Sequence, residues 1–479
     1  MSDSQNKKAL KSGIWYIMGN FLIKGIGFIT TPFFSRLMTK EDIGDFSNLL
    51  TWIGILSIIF TFDFYSSIAV ARFDYKEDLN DYVSSSLVLG SGITLFFFGL
   101  TFPFKSFLLR LINVPDYAYY YAFIYMLVYP AIQMFQAKSQ VEYKYKASLL
   151  VSILSAVGAA LLSLFLVRVM NNQLYGRIIG YFIPFIAFGF GVYLYLVIIG
   201  KRISTKYWKY AFNISFPLVF HLLAGYILSS SDRIMIRSLI DSRALGLYSV
   251  AYSGAMIISV LMTSMNSAWV PWAMAQIDSD NINELRKTSR FFVLFFGILV
   301  LGIIMLGPEV LLIMGGKSYM EAIDVIPPVM VGFVFQFVYS LYVNIEQYYK
   351  KQRMVAIGTV IAAGSNIILN WLLIPVLGYV AAAYTTLLSY IILFVVHYFF
   401  VKMLQKDKIY DGKFNITILI GSLFMIPIMT LLYHYNIIRL IIVGIMIVST
   451  TLFAIKYRRI LLKAIKTKSL GLIIDIFHK

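Results

Sequence analysis

Apolar runs long enough to cross a bilayer recur along the whole chain, separated by short segments that hold most of the charge. Each crossing takes roughly 20 apolar residues. A water-soluble fold could not bury so many runs, so lipid must be the solvent for most of this sequence. Fourteen spans can be drawn, near 12–37, 46–71, 82–102, 117–137, 147–168, 175–200, 209–236, 245–270, 291–314, 323–345, 354–376, 379–401, 414–433 and 437–456. Composition agrees, with 59% hydrophobic and 13% charged residues, whereas a soluble domain is about half apolar and a quarter charged.

The net charge of +18 points to topology rather than to nucleic acid, because the basic residues sit in the short breaks between spans. With the N-terminus inside, the inner segments carry 29 Lys and Arg and the outer ones 11, and Lys24 falls within the first span. Such a bias over short loops predicts an even number of spans and both termini in the cytoplasm of a multi-pass cytoplasmic (inner) membrane protein. The stretch 12–38 is too long for the apolar core of a signal peptide. Residues 457–479 alternate Leu and Ile with Lys. They read either as a basic amphipathic helix lying on anionic lipid or as a partly disordered positive anchor. The absence of cysteine and the four scattered histidines predict no metal centre and no resident cofactor.

Gly44 and Gly246 close the loops after spans 1 and 7, and Gly176 and Gly378 open spans 6 and 12. Each pair is 202 residues apart, and Ala160/Ala362 and Ser163/Ser365 share that offset. This register predicts a duplicated six-helix unit. The expected divisions are an N-terminal lobe over 1–205, a second lobe over 206–405, two appended helices over 406–456 and the tail over 457–479. Six is even, so the lobes run parallel, related by an axis along the membrane normal, with a cavity between them.

A family resemblance rests on three motifs. Thr31-Pro32-Phe33-Phe34-Ser35-Arg36-Leu37-Met38-Thr39-Lys40-Glu41-Asp42-Ile43-Gly44-Asp45-Phe46 resembles the start of polysaccharide flippases. Asp63 through Arg72-Phe73 resembles their exit from span 2, except that Phe62 stands in the glycine region. Ser231-Asp232-Arg233-Ile234-Met235-Ile236 followed by Gly246-Leu247-Tyr248 is similar to their segment around span 7. The chain thus resembles the polysaccharide transport branch (O-antigen or lipid-linked oligosaccharide flippases) of the multidrug/oligosaccharidyl-lipid/polysaccharide exporter superfamily. The resemblance implies an all-α, fourteen-helix, two-lobed membrane protein that moves undecaprenyl-diphosphate-linked oligosaccharide to the outer leaflet. Partners would be that lipid-linked sugar, the bilayer, and a polysaccharide polymerase with other assembly proteins.

A sugar diphosphate in a low-dielectric cavity needs buried cations and hydroxyl or amide partners. Lys24, beside Gly25 and Gly27, and Arg233 are the candidate cations, and Asn266, Gln336, Asn366 and Asn370 the candidate sugar partners. Lys24 could instead snorkel to the interface, Arg233 could form a structural ion pair, and the amides could bond between helices. Asp63 is a candidate partner of Lys24 or a proton carrier, against a structural bond to a hydroxyl or to Arg72. Asp232 and Arg233 are adjacent, and adjacent side chains do not face each other on a helix, so one would face the cavity and the other hold the lobes together. His221 is a candidate pH sensor or a hydrogen-bonded span histidine. Arg36 and Arg72, at span rims, are gate charges or topology determinants.

Gly315-Gly316-Lys317-Ser318 imitates the end of a phosphate loop, but Leu311 stands where its first glycine belongs. With no nucleotide motif, an H+ or Na+ gradient, the membrane potential or the substrate's own gradient would supply the energy. A cation-coupled multidrug exporter of the same fold is the alternative, and its site would be acidic and aromatic. A membrane polymerase or glycosyltransferase would need larger outer loops than 102–117 or 314–323. No enzymatic activity is expected.

Overall fold

The computed structural model describes Gly19 and residues 25–406 and 408–456. The basic tail and the first part of span 1, Lys24 included, lie outside the described residues. Among those described, the protein is built from helices, with no strand. The second part of span 1 is a helix over 25–37, here α1. It is followed by α2 (Lys40–Thr61), α3 (Ile68–Asp74), α4 (Leu79–Thr101), α5 (Lys105–Leu111), α6 (Ala118–Val141), α7 (Tyr145–Val169), α8 (Gln173–Ile199) and α9 (Thr205–Leu239). The rest are α10 (Ser242–Asp278), α11 (Ile282–Met305), α12 (Gly307–Gly315), α13 (Ile326–Tyr348), α14 (Gln352–Leu377), α15 (Val380–Met403), α16 (Gly412–Leu432) and α17 (Asn436–Lys456).

Eleven helical segments among the described residues are long and apolar enough to span a membrane, against the fourteen spans expected. The difference has local causes. Span 1 is only partly described, span 4 is the tyrosine-rich α6, and in span 14 the apolar stretch covers Asn436–Met446. Phe96, Leu100, Phe104, Phe107 and Ile198 are exposed, as an apolar surface in lipid should be.

Side-chain caps start several helices. Thr39 accepts from Asp42 N–H at 3.1 Å, Asn172 from Tyr175 and Asp411 from Phe414. At the other end, Asn113, Tyr143, Asp280, Lys350 and Gln405 adopt the left-handed conformation that releases the chain from α5, α6, α10, α13 and α15.

The chain forms two compact units, the first of Met1–Ser253 with Ile367–Ala382, the second of Gly254–Asn366 with Ala383–Lys479. In the first unit α8 packs on α7 and α6, and α9 packs on α2. Gly176 and Gly180 bring α8 so close to α7 that a β-carbon at either would press on backbone, of Leu166 and Ser163 respectively. In the second unit α11, α13 and α16 pack together. There the buried Arg439 at the start of α17 bonds to Glu309 of α12 through both terminal nitrogens at 2.6 Å and to the Met305 carbonyl at 2.6 Å.

The repeat is visible in the helix starts, but its register drifts. Lys40 and Ser242 are 202 residues apart, as are Lys105 and Gly307. Tyr145 and Gln352, and Gln173 and Val380, are each 207 apart. The shift enters after α12, where a 3-10 segment, Lys317–Val325, lengthens the connection to α13. The pairings of Ala160 with Ala362, Ser163 with Ser365 and Gly176 with Gly378 are therefore corrected. Gly176 lies inside α8, whereas Gly378 makes a turn at φ +76°.

Candidate functional site

Span 2 does not cross as one helix. It breaks after Thr61, where Phe62 (φ 50°) and Asp63 (φ 43°) are both left-handed, and restarts through a 3-10 turn, Phe64–Ser67, into α3. Its counterpart in the repeat, α10, runs unbroken. Two consecutive bulky residues in this conformation are unfavourable by roughly 1–2 kcal/mol each, so the surroundings must hold them. The Phe62 ring packs against Phe64, Phe212 and Phe216 at centroid distances of 5.9, 5.5 and 6.0 Å. The Thr61 hydroxyl lies 2.8 Å from the Ser57 carbonyl and accepts from Asp63 N–H at 3.3 Å, and Thr94 donates to the Phe60 carbonyl. Backbone freed within a membrane must find such partners.

The break borders a cavity of about 580 Å³ that lies wholly within the first unit. Its walls come from α2 (Gly54, Ser57), α6 (Tyr125, Tyr129, Gln133), α8 (Tyr181) and α9 (His221, Tyr226, Ser229), with Asp63 and Tyr65 at the break. Gly54 lets the Tyr226 ring lie against α2, since a β-carbon would meet that ring and its hydroxyl unless the tyrosine moved. Tyr125 and Tyr129 stack at 4.6 Å, and Tyr181 stands 6.4 Å from Tyr125. Asp63 is buried, and its carboxylate lies 3.3 Å from the Thr61 hydroxyl. The buried Gln133 Oε1 has no hydrogen-bond partner, which leaves an acceptor open to a donor. No Lys or Arg is among the described lining residues. As far as the described residues line it, the chamber is acidic, phenolic and rich in hydroxyls.

Of the expected site residues, Asp63 and His221 meet at this cavity. Arg233 and Asp232 do not line it. Nor do they face apart, as helix spacing suggests: the Arg233 side chain curls back to within 3.4 Å of Asp232 Oδ1. Arg233 also donates to the Ser229 carbonyl at 3.1 Å and lies 4.6 Å from the Tyr252 ring centroid, while Tyr248 donates to Asp232. The long, flexible arginine side chain overrides its backbone register.

Arg36 is exposed and bonds to the Pro32 carbonyl at 2.6 Å, and Arg72 sits 5.2 Å from the Tyr143 ring. In the second unit Asn266 accepts from Ser340 at 3.3 Å and Asn366 donates to Thr386 at 3.4 Å, both bonds between helices. Gln336 Oε1 is buried with no partner, and Asn370 is fully buried. Lys24 lies outside the described residues.

The tyrosines were missed from sequence, although Tyr121, Tyr125 and Tyr129 recur every fourth residue along one face of an apolar span. Two further features of the first unit also escaped notice. Arg237 pairs with Asp45 at 2.7 Å, joining α9 to α2. At the repeat-related helix starts, a β-carbon on Gly44 would overlap the Ser242 carbonyl, and one on Gly246 the Lys40 carbonyl. Beside them Ser249 donates to Ser47 at 2.9 Å.

Comparison with known proteins agrees with this architecture. A family model described as "Polysaccharide biosynthesis protein" matches residues 9–278, and the MatE model matches 217–372. The "Lsg locus putative protein 1" of Haemophilus influenzae is 21% identical, covering 78% of this chain and 94% of its own. An uncharacterised membrane protein of Methanocaldococcus jannaschii is 23% identical over 89% of this chain and 90% of its own. The lipid II flippase MurJ in an inward closed conformation has the same fold, with a TM-score of 0.68 and 18% identity over 94% of this chain and all of that one. So does an inward-facing multidrug resistance MATE transporter of the MOP superfamily, at a TM-score of 0.65 and 13% identity over 80% and 94% of the two chains. With the first model covering more than half of its length, the chain belongs to the polysaccharide biosynthesis protein family.

Proposed function

We propose that the protein is a flippase, not an enzyme. It carries undecaprenyl-diphosphate-linked oligosaccharide repeat units across the cytoplasmic membrane by alternating access of two six-helix lobes, for surface polysaccharide synthesis. The observation that carries this reading is the cavity beside the broken span 2, where phenols, an amide with a free acceptor and a carboxylate face one space in a membrane-embedded unit. Sugars present hydroxyl donors and apolar ring faces, and both suit tyrosines and Asp63. A discontinuous span at a cavity is also where transporters of this general design bind their cargo. The diphosphate would be met by cations, with Lys24 and Arg233 as the candidates, and an ion gradient would pull the cycle forward. Both termini face the cytoplasm in this reading, and a polymerase accepts the product outside.

The test is reconstitution of the full chain in vesicles with a lipid-linked oligosaccharide and a leaflet-specific sugar-oxidising or lectin probe. Wild-type protein is expected to expose the sugar on the far leaflet, and Gln133→Leu to slow this at least ~10-fold, a loss of about 1.4 kcal/mol. No transfer by wild type would remove the reading.

The second reading, export of cationic drugs, is favoured by one observation. The lining combines a carboxylate with tyrosines and, among the described residues, carries no basic side chain apart from His221. Efflux of a lipophilic cation from the same vesicles, without sugar transfer, would establish it.

A further inference from the structure

Glu346 on α13 and His397 on α15 form a pair within the second unit that takes no part in the cavity described above. Both are fully buried, and His397 Nδ1 lies 2.8 Å from Glu346 Oε1. Each also keeps a buried atom with no hydrogen-bond partner, Glu346 Oε2 and His397 Nε2. Intramembrane ionisable groups are costly and usually functional. Buried side-chain polar atoms ordinarily find a hydrogen-bond partner. Two orphaned atoms in one buried pair therefore need a reason beyond packing.

The rings that touch the pair are uncharged, while Lys350 and Lys351 follow Glu346 at the end of α13, where Lys351 N–H donates to the Glu346 carbonyl. On α13, Tyr339 stacks on the imidazole at 5.8 Å, and Tyr342 lies one turn before Glu346, bonded to Asn415 of α16. On α15, Phe400 meets the imidazole edge-on at 6.0 Å. α14 presents Gly358, whose β-carbon would stand 2.7 Å from His397 Nε2, so helix backbone lies over the free nitrogen. Among the described residues neither partner makes another ion pair, and no cluster of three metal-ligating side chains exists.

We propose that Glu346 and His397 form an occluded proton-binding site, which holds one exchangeable proton while covered and releases it only when water reaches the pair. With that proton bound the pair is net neutral, as imidazolium with carboxylate or as imidazole with carboxylic acid. Without it, a lone carboxylate is left in a low-dielectric interior, which is strongly disfavoured. Proton loss is thus tied to a rearrangement that lifts α14 from Nε2. The ligand is a proton delivered from water, and no oxidant or co-reactant is needed. This inference does not depend on what the first-unit cavity carries.

The experiment uses the full chain in phosphatidylethanolamine–phosphatidylglycerol vesicles, titrated from about pH 5 to about pH 8, the range in which histidine changes charge. Infrared difference spectra read buried carboxylic acid, and 15N-histidine spectra read the four imidazoles. Wild type is expected to gain or lose about one proton at the pair, shown by changes at His397 and Glu346 that titrate together. Glu346→Gln and His397→Gln should each abolish the change, as should the neutral double variant, which serves if a single variant fails to fold. A wild-type pair whose protonation stays constant over that range overturns the proposal. So does an unchanged proton count in the double variant.

Discussion

At the residue scale, Asp63 is the position where conformation and chemistry meet. It holds a left-handed backbone, a buried carboxylate and a place in the cavity wall. Asparagine tolerates that backbone, whereas a β-branched residue does not. Asp63→Asn is therefore expected to insert and fold normally but to lose transport, measured in the vesicle assay. Asp63→Val is expected to lose about 1–2 kcal/mol of stability as well, measured by thermal unfolding in detergent. Asp63 was legible as a candidate because a charge within an apolar run is conspicuous. Its backbone was not, since no glycine or proline marks the break and aromatic packing from α9 holds it.

Asp411 shows the same scale in water. Its capping bond from Phe414 N–H, opposed by partial burial and aided by Arg290 and Arg286, holds its carboxyl below the ordinary 3.8. The folded value lies below the unfolded one. Its stabilisation is thus complete above about pH 3.8 and is lost as pH falls through the folded value. Asp411→Asn is expected to flatten the acid limb of the Tm-against-pH curve and leave the neutral region's slope unchanged.

At the element scale, Arg439 fastens the start of α17 to α11 and α12. It lies at the start of span 14, where it counts among the outer charges that signal topology, and only the structure shows it buried. Arg439→Met removes charge-assisted bonds worth about 1.5–3 kcal/mol each. Because Glu309 is 39% exposed, water can compensate its side of the pair. The expected result is a protein that still inserts but whose α17 is clipped faster by protease. The repeat was legible where backbone contact requires glycine, at Gly44 and Gly246. It misled at Gly378, where glycine answers a turn and not a crossing. Amide residues kept both of their readings in sequence, and the structure shows Asn266 and Asn366 bonding between helices.

At the scale of the whole molecule, spans, their lipid-facing surface and the family could be read from apolar runs and motifs. Polar-group placement could not, because it depends on which helix faces which. The chain contains no cysteine, which makes a paired-cysteine test clean. Ser47→Cys with Ser249→Cys is expected to form a disulfide under mild oxidation, since the two hydroxyls lie 2.9 Å apart. Peptide mass spectrometry would detect it. If this crossing must part during the cycle, transport should stop on oxidation and return on reduction, and transport that persists in the cross-linked protein would show that the crossing stays closed throughout.

Where the helix starts at Gly44 and Gly246 rest on each other, main chain meets main chain in both directions. A side chain in such a place could yield by changing rotamer; a carbonyl cannot. If the crossing parts at all, it is expected to part like a detent, seated or sprung, with both helix starts letting go together.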